Sequence, residues 1–377
     1  MNGICFDNAA TTRPLGEAAE QYLNISQNIY GNPASMHKLG LEAETEIKKA
    51  AGAIAELLNV SADELIFTSG GTESNNLAIF GAVYNRSPQG LNAVTSVTEH
   101  PSVYECFKVL EQRGVKVTYI KTDDNGRVDT DELLNAVDGR TALISVAAVC
   151  GETGAMQRVS EIGRAVKAKN SGALFHVDGV QAFGKFKIDL YGSQIDFYSF
   201  SAHKIHGLKG AGCLFVKNGR RLAPLFYGGG QQKGARPGTE NAAGVSAFAV
   251  AAAEAYKTMD VSLIAARRVR AAVLKLRGGD IVVNGDAENG SPYILNMSFL
   301  GYKGEVILNA LSEEGIFVST GSACGRRGKD GAVKRMGLGE QRAQSAVRFS
   351  FSRFNTVEEA ETCVEAMQKI LKRIVRS

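Results

Sequence analysis

No run of apolar residues in this sequence approaches the ~20 needed to cross a bilayer, so a membrane span is not expected. The start, Met1-Asn2-Gly3-Ile4-Cys5-Phe6-Asp7, has neither a basic leader nor a long apolar stretch. A secretory signal is therefore not expected, and the expected location is cytoplasmic. Cysteine is scarce and dispersed, at positions 5, 106, 150, 213, 324 and 363, with no C-x-x-C pair. That spacing argues against a zinc site or a disulfide framework and for a reducing compartment. An excess of one charge is also missing. Lys plus Arg total 43 against 39 acids, a net +4, too mild to argue for direct nucleic-acid binding. There is no internal repeat and no low-complexity segment. Tryptophan is absent, which excludes nothing.

What remains is an ordinary soluble composition, 44% hydrophobic and 22% charged. At 377 residues the chain exceeds one ordinary core, so two domains, or one large domain with an appendage, are expected. Apolar spacing predicts helices over about 16–26 and 38–58. From Glu64 short apolar strands alternate with helices: strands at 65–68, 93–96, 115–119, 143–147, 173–177, 195–200 and 212–216. The intervening helices fall at 73–84, 103–113 and 160–169, with Ser160 a candidate N-cap. This alternation predicts an α/β fold with a mostly parallel sheet covered on both faces. Ligands of such sheets gather at the carboxyl ends of the strands. A glycine-rich basic loop, 227–239, precedes a long Ala-rich helix over about 240–275, expected to cross into a C-terminal part. That part has strands near 281–283, 294–299 and 346–350 and helices near 305–314 and 357–375.

The stretch Ser199-Phe200-Ser201-Ala202-His203-Lys204-Ile205-His206-Gly207 sets a lysine between two histidines at a strand end. Lys204 reads as an amine that forms a Schiff base with a carbonyl cofactor. Taken alone, the stretch reads equally as a turn with a surface lysine. Lys209, between glycines and farther from the strand, is the weaker rival. Two further strand ends fit the same cofactor. Ser69-Gly70-Gly71-Thr72 offers free amides at a helix N-terminus, suited to a phosphate, with Thr72 adding a hydroxyl. It reads as well as an ordinary strand–helix turn. Asp178, in His176-Val177-Asp178-Gly179-Val180-Gln181, ends an apolar strand where a carboxylate is costly unless paired. A protonated pyridine nitrogen would pair with it; a helix N-cap is the alternative. Ser201 and His203 suit phosphate contacts.

Six segments carry a resemblance: Asp7-Asn8-Ala9-Ala10-Thr11-Thr12, Gly31-Asn32-Pro33-Ala34-Ser35, Gly71-Thr72-Glu73-Ser74-Asn75-Asn76, Thr98-Glu99-His100, His176-Val177-Asp178 and Ser201-Ala202-His203-Lys204. In this order they resemble the NifS/IscS-like cysteine desulfurases of the class V aminotransferase family. The resemblance implies the pyridoxal-phosphate fold type I, with a seven-stranded sheet and a smaller α+β C-terminal domain. The expected division is a large cofactor-binding domain, 15–255, and a small domain formed by 1–14 and 256–377. It implies a homodimer with pyridoxal 5'-phosphate held covalently by Lys204. Asp178 would pair with the ring nitrogen, Gln181 would bond the ring hydroxyl, and His100 would stack on the ring and shuttle protons. Gly71, Thr72, Ser201 and His203 would hold the phosphate, and Thr239 would reach the phosphate in the neighbouring subunit. Arg348 and Asn32 would bind substrate, Arg348 by clamping its carboxylate. As ordinary structural residues, His100 is a turn residue before Pro101 and Arg348 an ion-pair member.

Cys324 lies in Ser319-Thr320-Gly321-Ser322-Ala323-Cys324-Gly325-Arg326-Arg327-Gly328-Lys329, where the nearby cations favour a thiolate. By the resemblance it takes sulfur from L-cysteine as a persulfide, leaving L-alanine. It then passes the sulfur to an acceptor protein for iron–sulfur cluster assembly or tRNA thiolation. The chain departs from the family pattern at Cys150-Gly151, where two asparagines are usual. A lyase or transaminase acting on another amino acid, or a cofactor-binding scaffold with weakened activity, are the readings that departure leaves open.

Overall fold

The computed structural model describes residues 3–84, 86–321 and 331–376. Its centre is a seven-stranded sheet of β2 (Leu65–Thr68), β3 (Asn92–Ser96), β4 (Lys116–Ile120), β5 (Thr141–Ala147), β6 (Leu174–Asp178), β7 (Phe197–Ser201) and β8 (Gly212–Val216). The spatial order is β2-β8-β7-β6-β5-β3-β4. Strands β3 to β7 pair in parallel, and β8 runs antiparallel to both its neighbours. Every residue of β3, β5, β6 and β7 is buried, because helices cover both faces; the edge strand β4 is only partly covered.

Helices α1 (Gly16–Asn28), α2 (Lys38–Leu58) and α7 (Ala242–Lys257) pack on one face with the turn after β6. Phe183, Phe200 and Phe248 form its aromatic centre, with Phe183 and Phe200 rings 4.2 Å apart. On the other face α3 (Gly71–Val83) and α4 (Pro101–Gln112) bury Ile79, Val103 and Phe107 against Leu143, Phe197 and Leu214. Two shorter helices, α5 (Thr130–Ala136) and α6 (Val159–Lys169), pack together beside the sheet.

A third core surrounds an antiparallel sheet ordered β12-β10-β9, of β9 (Ile281–Val283), β10 (Ile294–Phe299) and β12 (Ala346–Ser350). Helices α8 (Met259–Leu274), α9 (Gly304–Glu313) and α12 (Val357–Arg373) cover it. The short α10 (Ala332–Arg335) and α11 (Glu340–Gln344) precede β12. The N-terminal strand β1 (Ile4–Cys5) pairs with β11 (Ile316–Phe317), anchoring the start of the chain to this part. The segment then runs back to the central sheet: Asn8 N donates to Ser350 O, and Thr12 N to His203 O. Among the described residues no helix is long and apolar enough to cross a membrane.

The fold matches the expected α/β architecture, with four local corrections. The expected 240–275 helix is two helices, α7 and α8, meeting at Thr258. That residue has φ −105° and ψ 9°, and its hydroxyl bonds Glu254 O at 2.7 Å. Apolar periodicity runs through the break, which only backbone geometry shows. Ser160 is not the N-cap of α6. Arg158 occupies that position without a side-chain bond, and the Ser160 hydroxyl meets that of Ser193 at 2.6 Å. Helix α3 starts at Gly71, so the expected turn residues Gly71 and Thr72 form its first turn. Helix α5 had no sequence expectation; seven residues are too few to show a clear period.

Candidate active site

The carboxyl ends of β3, β5, β6 and β7 open into one cavity of about 180 Å³, where the order of the parallel strands reverses between β3 and β5. Its wall includes Thr72, His100, Asp178, Gln181, His203, Lys204 and Arg348. These come from five separate segments of the sequence.

Lys204 ends a 3₁₀ turn, Ala202–Lys204, directly after β7. Its Nζ donates to the carbonyls of Ala9 and Ala10 at 2.5 and 2.7 Å, both supplied by the N-terminal segment. Lys209, the rival, is exposed and outside the cavity wall.

Asp178 ends β6 and is 6% exposed. Its Oδ1 accepts from Val180 N at 3.0 Å and its Oδ2 from Asn75 Nδ2 at 2.8 Å. Asn75 Nδ2 also donates to Ser102 Oγ at 2.9 Å, and Ser102 Oγ lies 2.7 Å from His100 Nδ1. Since His100 Nδ1 also accepts from Ser102 N, the ring proton belongs on Nε2. Desolvation at the cavity wall holds the ionisation of His100 below the usual imidazole range. Lys204, Arg335 and Arg348 act in the same sense and Asp178 against it. His100 is at once the N-cap of α4 before Pro101 and part of the cavity wall. Asn75 and Ser102, which tie Asp178 to His100, were missed by sequence reasoning. Asn75 lies inside a segment that carried the resemblance, but nothing in its spacing marks this contact.

Helix α3 begins at the cavity with no side chain capping it, leaving its first amides available to an anion. Gly71 permits this approach: a Cβ there would lie 2.5 Å from Val180 Cγ2 in the turn after β6. His203 joins the wall with its Nδ1 3.1 Å from Thr11 Oγ1. Burial first, then Lys204, Lys209 and Lys185, push its ionisation down to about 4.

Arg348 on β12 is 3% exposed and fully engaged at its tips. Nη1 donates to Gly151 O at 2.9 Å and Nη2 to Asp7 Oδ1 at 2.8 Å, so it is an ion-pair member as well as a wall residue. Glu99 is the second buried carboxyl of the wall. Burial pushes it up to about 8, against hydrogen bonds from Ser96 Oγ and Ala147 N to Oε1. Cys150 also faces the cavity, 3% exposed, with burial and Glu152 pushing its thiol up.

Three expected site residues lie outside this wall. Ser201 is turned inward at the end of β7, its Oγ 3.5 Å from Ala211 O. Asn32 is exposed and closes its own turn, accepting from Ala34 N at 3.0 Å. Thr239 is exposed just before α7. Cys324 lies outside the described residues.

The donor set suits an anionic aromatic cofactor of the pyridoxal phosphate kind. A helix N-terminus serves an anion, a buried carboxylate serves a ring nitrogen, and an amine serves an aldehyde. Three buried polar atoms of wall residues also lack a hydrogen-bond partner among the described residues: Asn75 Oδ1, Glu99 Oε2 and Arg348 Nε.

The family model described as aminotransferase class-V matches residues 4–363. A NifS/IcsS protein homolog of Lactobacillus delbrueckii subsp. bulgaricus is 39% identical, over 97% of each chain. A cysteine desulfurase of Trichormus azollae is 36% identical, over 99% of this chain and 94% of that one. A solved NifS-like protein superposes with a TM-score of 0.93 at 34% identity, over 99% of this chain and all of the other. The chain belongs to the class V aminotransferase family, among its NifS/IscS-like cysteine desulfurases.

Proposed function

We propose that this protein removes sulfur from L-cysteine, releasing L-alanine, and holds the sulfur as a persulfide on Cys324 before passing it to an acceptor. The observation that carries the reading is the convergence of Lys204, Asp178 and His100 on one cavity at the strand ends. Pyridoxal 5'-phosphate, when bound, supplies an aldehyde for the amine and a ring that acidifies the Cα–H of an attached amino acid.

The chain's residues then have distinct tasks. The first turn of α3, with Thr72 and His203, holds the phosphate. Asp178, fixed by Asn75 and Val180, would pair with the ring nitrogen, and Gln181 would offer an amide N–H to the ring oxygen. His100, its proton on Nε2, would pack against the ring. Lys204 takes the Cα proton on Nζ, steered by the carbonyls of Ala9 and Ala10. Arg348, at the cavity wall, would meet the substrate carboxylate, while Nη1 stays on Gly151 O. The Cys324 thiolate attacks the substrate sulfur; the C–S bond breaks, and its electron pair ends as a new C–H bond of alanine. Four of the other five cysteines are buried with their thiols pushed up, which fits a role for Cys324.

A homodimer would bring Thr239 of a second copy to the phosphate, and an iron–sulfur scaffold or tRNA-thiolating enzyme would take the sulfur in the cytoplasm. The test adds L-cysteine and measures alanine and sulfide with and without a thiol reductant. Alanine with sulfide released only on reduction is expected. Lys204→Ala should lose the visible absorbance of the bound cofactor, and Cys324→Ser should stop sulfur release while still binding L-cysteine. Undiminished sulfide from Cys324→Ser would overturn the persulfide assignment.

A further inference from the structure

A second, half-buried amine stands behind Gln181. Residues 179–186 form two successive turns after β6: Phe183 N bonds Gly179 O and Phe186 N bonds Ala182 O, with Gly184 between them at φ +69°. These turns bring the side chains of Gln181 and Lys185 together. Lys185 Nζ donates to Gln181 Oε1 at 3.1 Å and lies 5.5 Å from the centre of the Tyr293 ring. On its other side Gln181 Nε2 donates to Ala9 O at 2.9 Å, the carbonyl that also accepts from Lys204 Nζ. Lys185, Gln181, Ala9 and Lys204 thus form one line of hydrogen bonds along the cavity wall.

The line fixes the Gln181 amide. An amine at Lys185 brings N–H donors and a backbone carbonyl brings only lone pairs. Reversing the amide would set NH₂ against an amine and oxygen against oxygen. Position 151 sharpens the consequence. A Cβ built on Gly151 would meet only Gln181, its Cγ and Nε2 each at 3.6 Å. No side chain from 151 competes with or supplements the Gln181 N–H at this point of the wall. The charged groups acting on Lys185 are cationic, Lys204 and Arg348; burial first, then these two, push its amine down to about 7. Charged or neutral, the amine keeps an N–H for Gln181.

We propose that Lys185 is a positioning residue of the active site: it locks the Gln181 amide with its N–H toward the cavity and polarises it as a donor to the cofactor ring oxygen. The proposal rests on the reading of the cavity as a pyridoxal phosphate site. Donation to Oε1 strengthens the N–H on the same amide, as hydrogen bonds in series do. A stronger donor favours the deprotonated ring oxygen, so its loss moves the proton equilibrium of the bound chromophore upward.

The experiment titrates the visible absorbance of the holoenzyme between pH 5 and 10 and measures cofactor retention by equilibrium dialysis. Lys185→Met should weaken retention about fivefold, as one lost hydrogen bond does. It should also raise the titration midpoint by about 0.7, the same factor on a proton equilibrium. Gln181→Met should give a similar shift, the double variant no more than either single one, and Lys185→Arg should restore the wild-type midpoint. A Lys185→Met midpoint equal to the wild type, or additive shifts in the double variant, would overturn the proposal. If Lys185→Met fails to fold, Lys185→Ser leaves room for water at this half-buried position and carries the same comparison. A wild-type protein that retains no cofactor would instead overturn the reading of the cavity.

Discussion

Glu99→Gln should stabilise the protein, and increasingly so as the pH rises. Glu99 is 2% exposed; its Oε1 accepts from Ser96 and Ala147, while Oε2 has no partner among the described residues. Burial raises its ionisation to about 8, from 4.5 in the unfolded chain. A carboxyl with a raised folded value binds its proton more tightly when folded, so its contribution is fully present below pH 4.5. That contribution is lost as the pH rises, and the loss is complete above about pH 8. At about 1.4 kcal/mol per pH unit, the interval bounds the loss at about 5 kcal/mol, which relaxation of the site reduces. Glutamine keeps an oxygen for Ser96 and Ala147 but has no charge to bury. An unfolding entropy of about 2.1 cal/mol/K per residue makes 1 kcal/mol worth about 1.3 °C in a chain of this length. The Tm of Glu99→Gln minus that of the wild type, both without cofactor, should therefore grow by about 2–5 °C between pH 5 and pH 9. Scanning fluorimetry across that range measures it, and groups common to both proteins cancel. A difference that stays flat would show that Glu99 ionises normally and refute the argument.

Three further outcomes follow from close contacts in the structure. Gly179→Ala places a Cβ 2.0 Å from the Tyr198 ring, so it should cost about 3 kcal/mol or more in a denaturant titration. Gly151→Asn has room for its side chain beside Gln181. It should leave the Tm within about 1 °C and raise kcat/KM for L-cysteine about fivefold, the worth of one added hydrogen bond. Arg348→Lys forfeits the planar fork that spans Asp7 and Gly151 O. It should raise KM for L-cysteine about tenfold or more while changing kcat less, as steady-state kinetics will show.

Much of this protein was legible in one dimension. The alternation of short apolar strands with helices set out the parallel sheet, because strands buried on both faces need apolar residues throughout. Lys204, Asp178 and the Gly71-Thr72 turn were visible because each breaks a local expectation: a charge at a strand end, or glycines where a helix begins. What the sequence could not hold is which remote groups meet them. The carbonyls of Ala9 and Ala10 reach Lys204 only because β1 pairs with β11 and the following segment returns to the central sheet. Asn75 joins Asp178 to His100, through Ser102, by hydrogen bonds whose geometry depends on how strand ends are juxtaposed. Arg348 could be named from its motif, yet its engagement with Asp7 depends on β12 lying beside the N-terminal segment. Residue type and order determined the chemistry available to this chain. Tertiary packing decided which donors and acceptors were paired off within the protein and which still face the cavity, because hydrogen bonds form over about 3 Å between residues hundreds of positions apart.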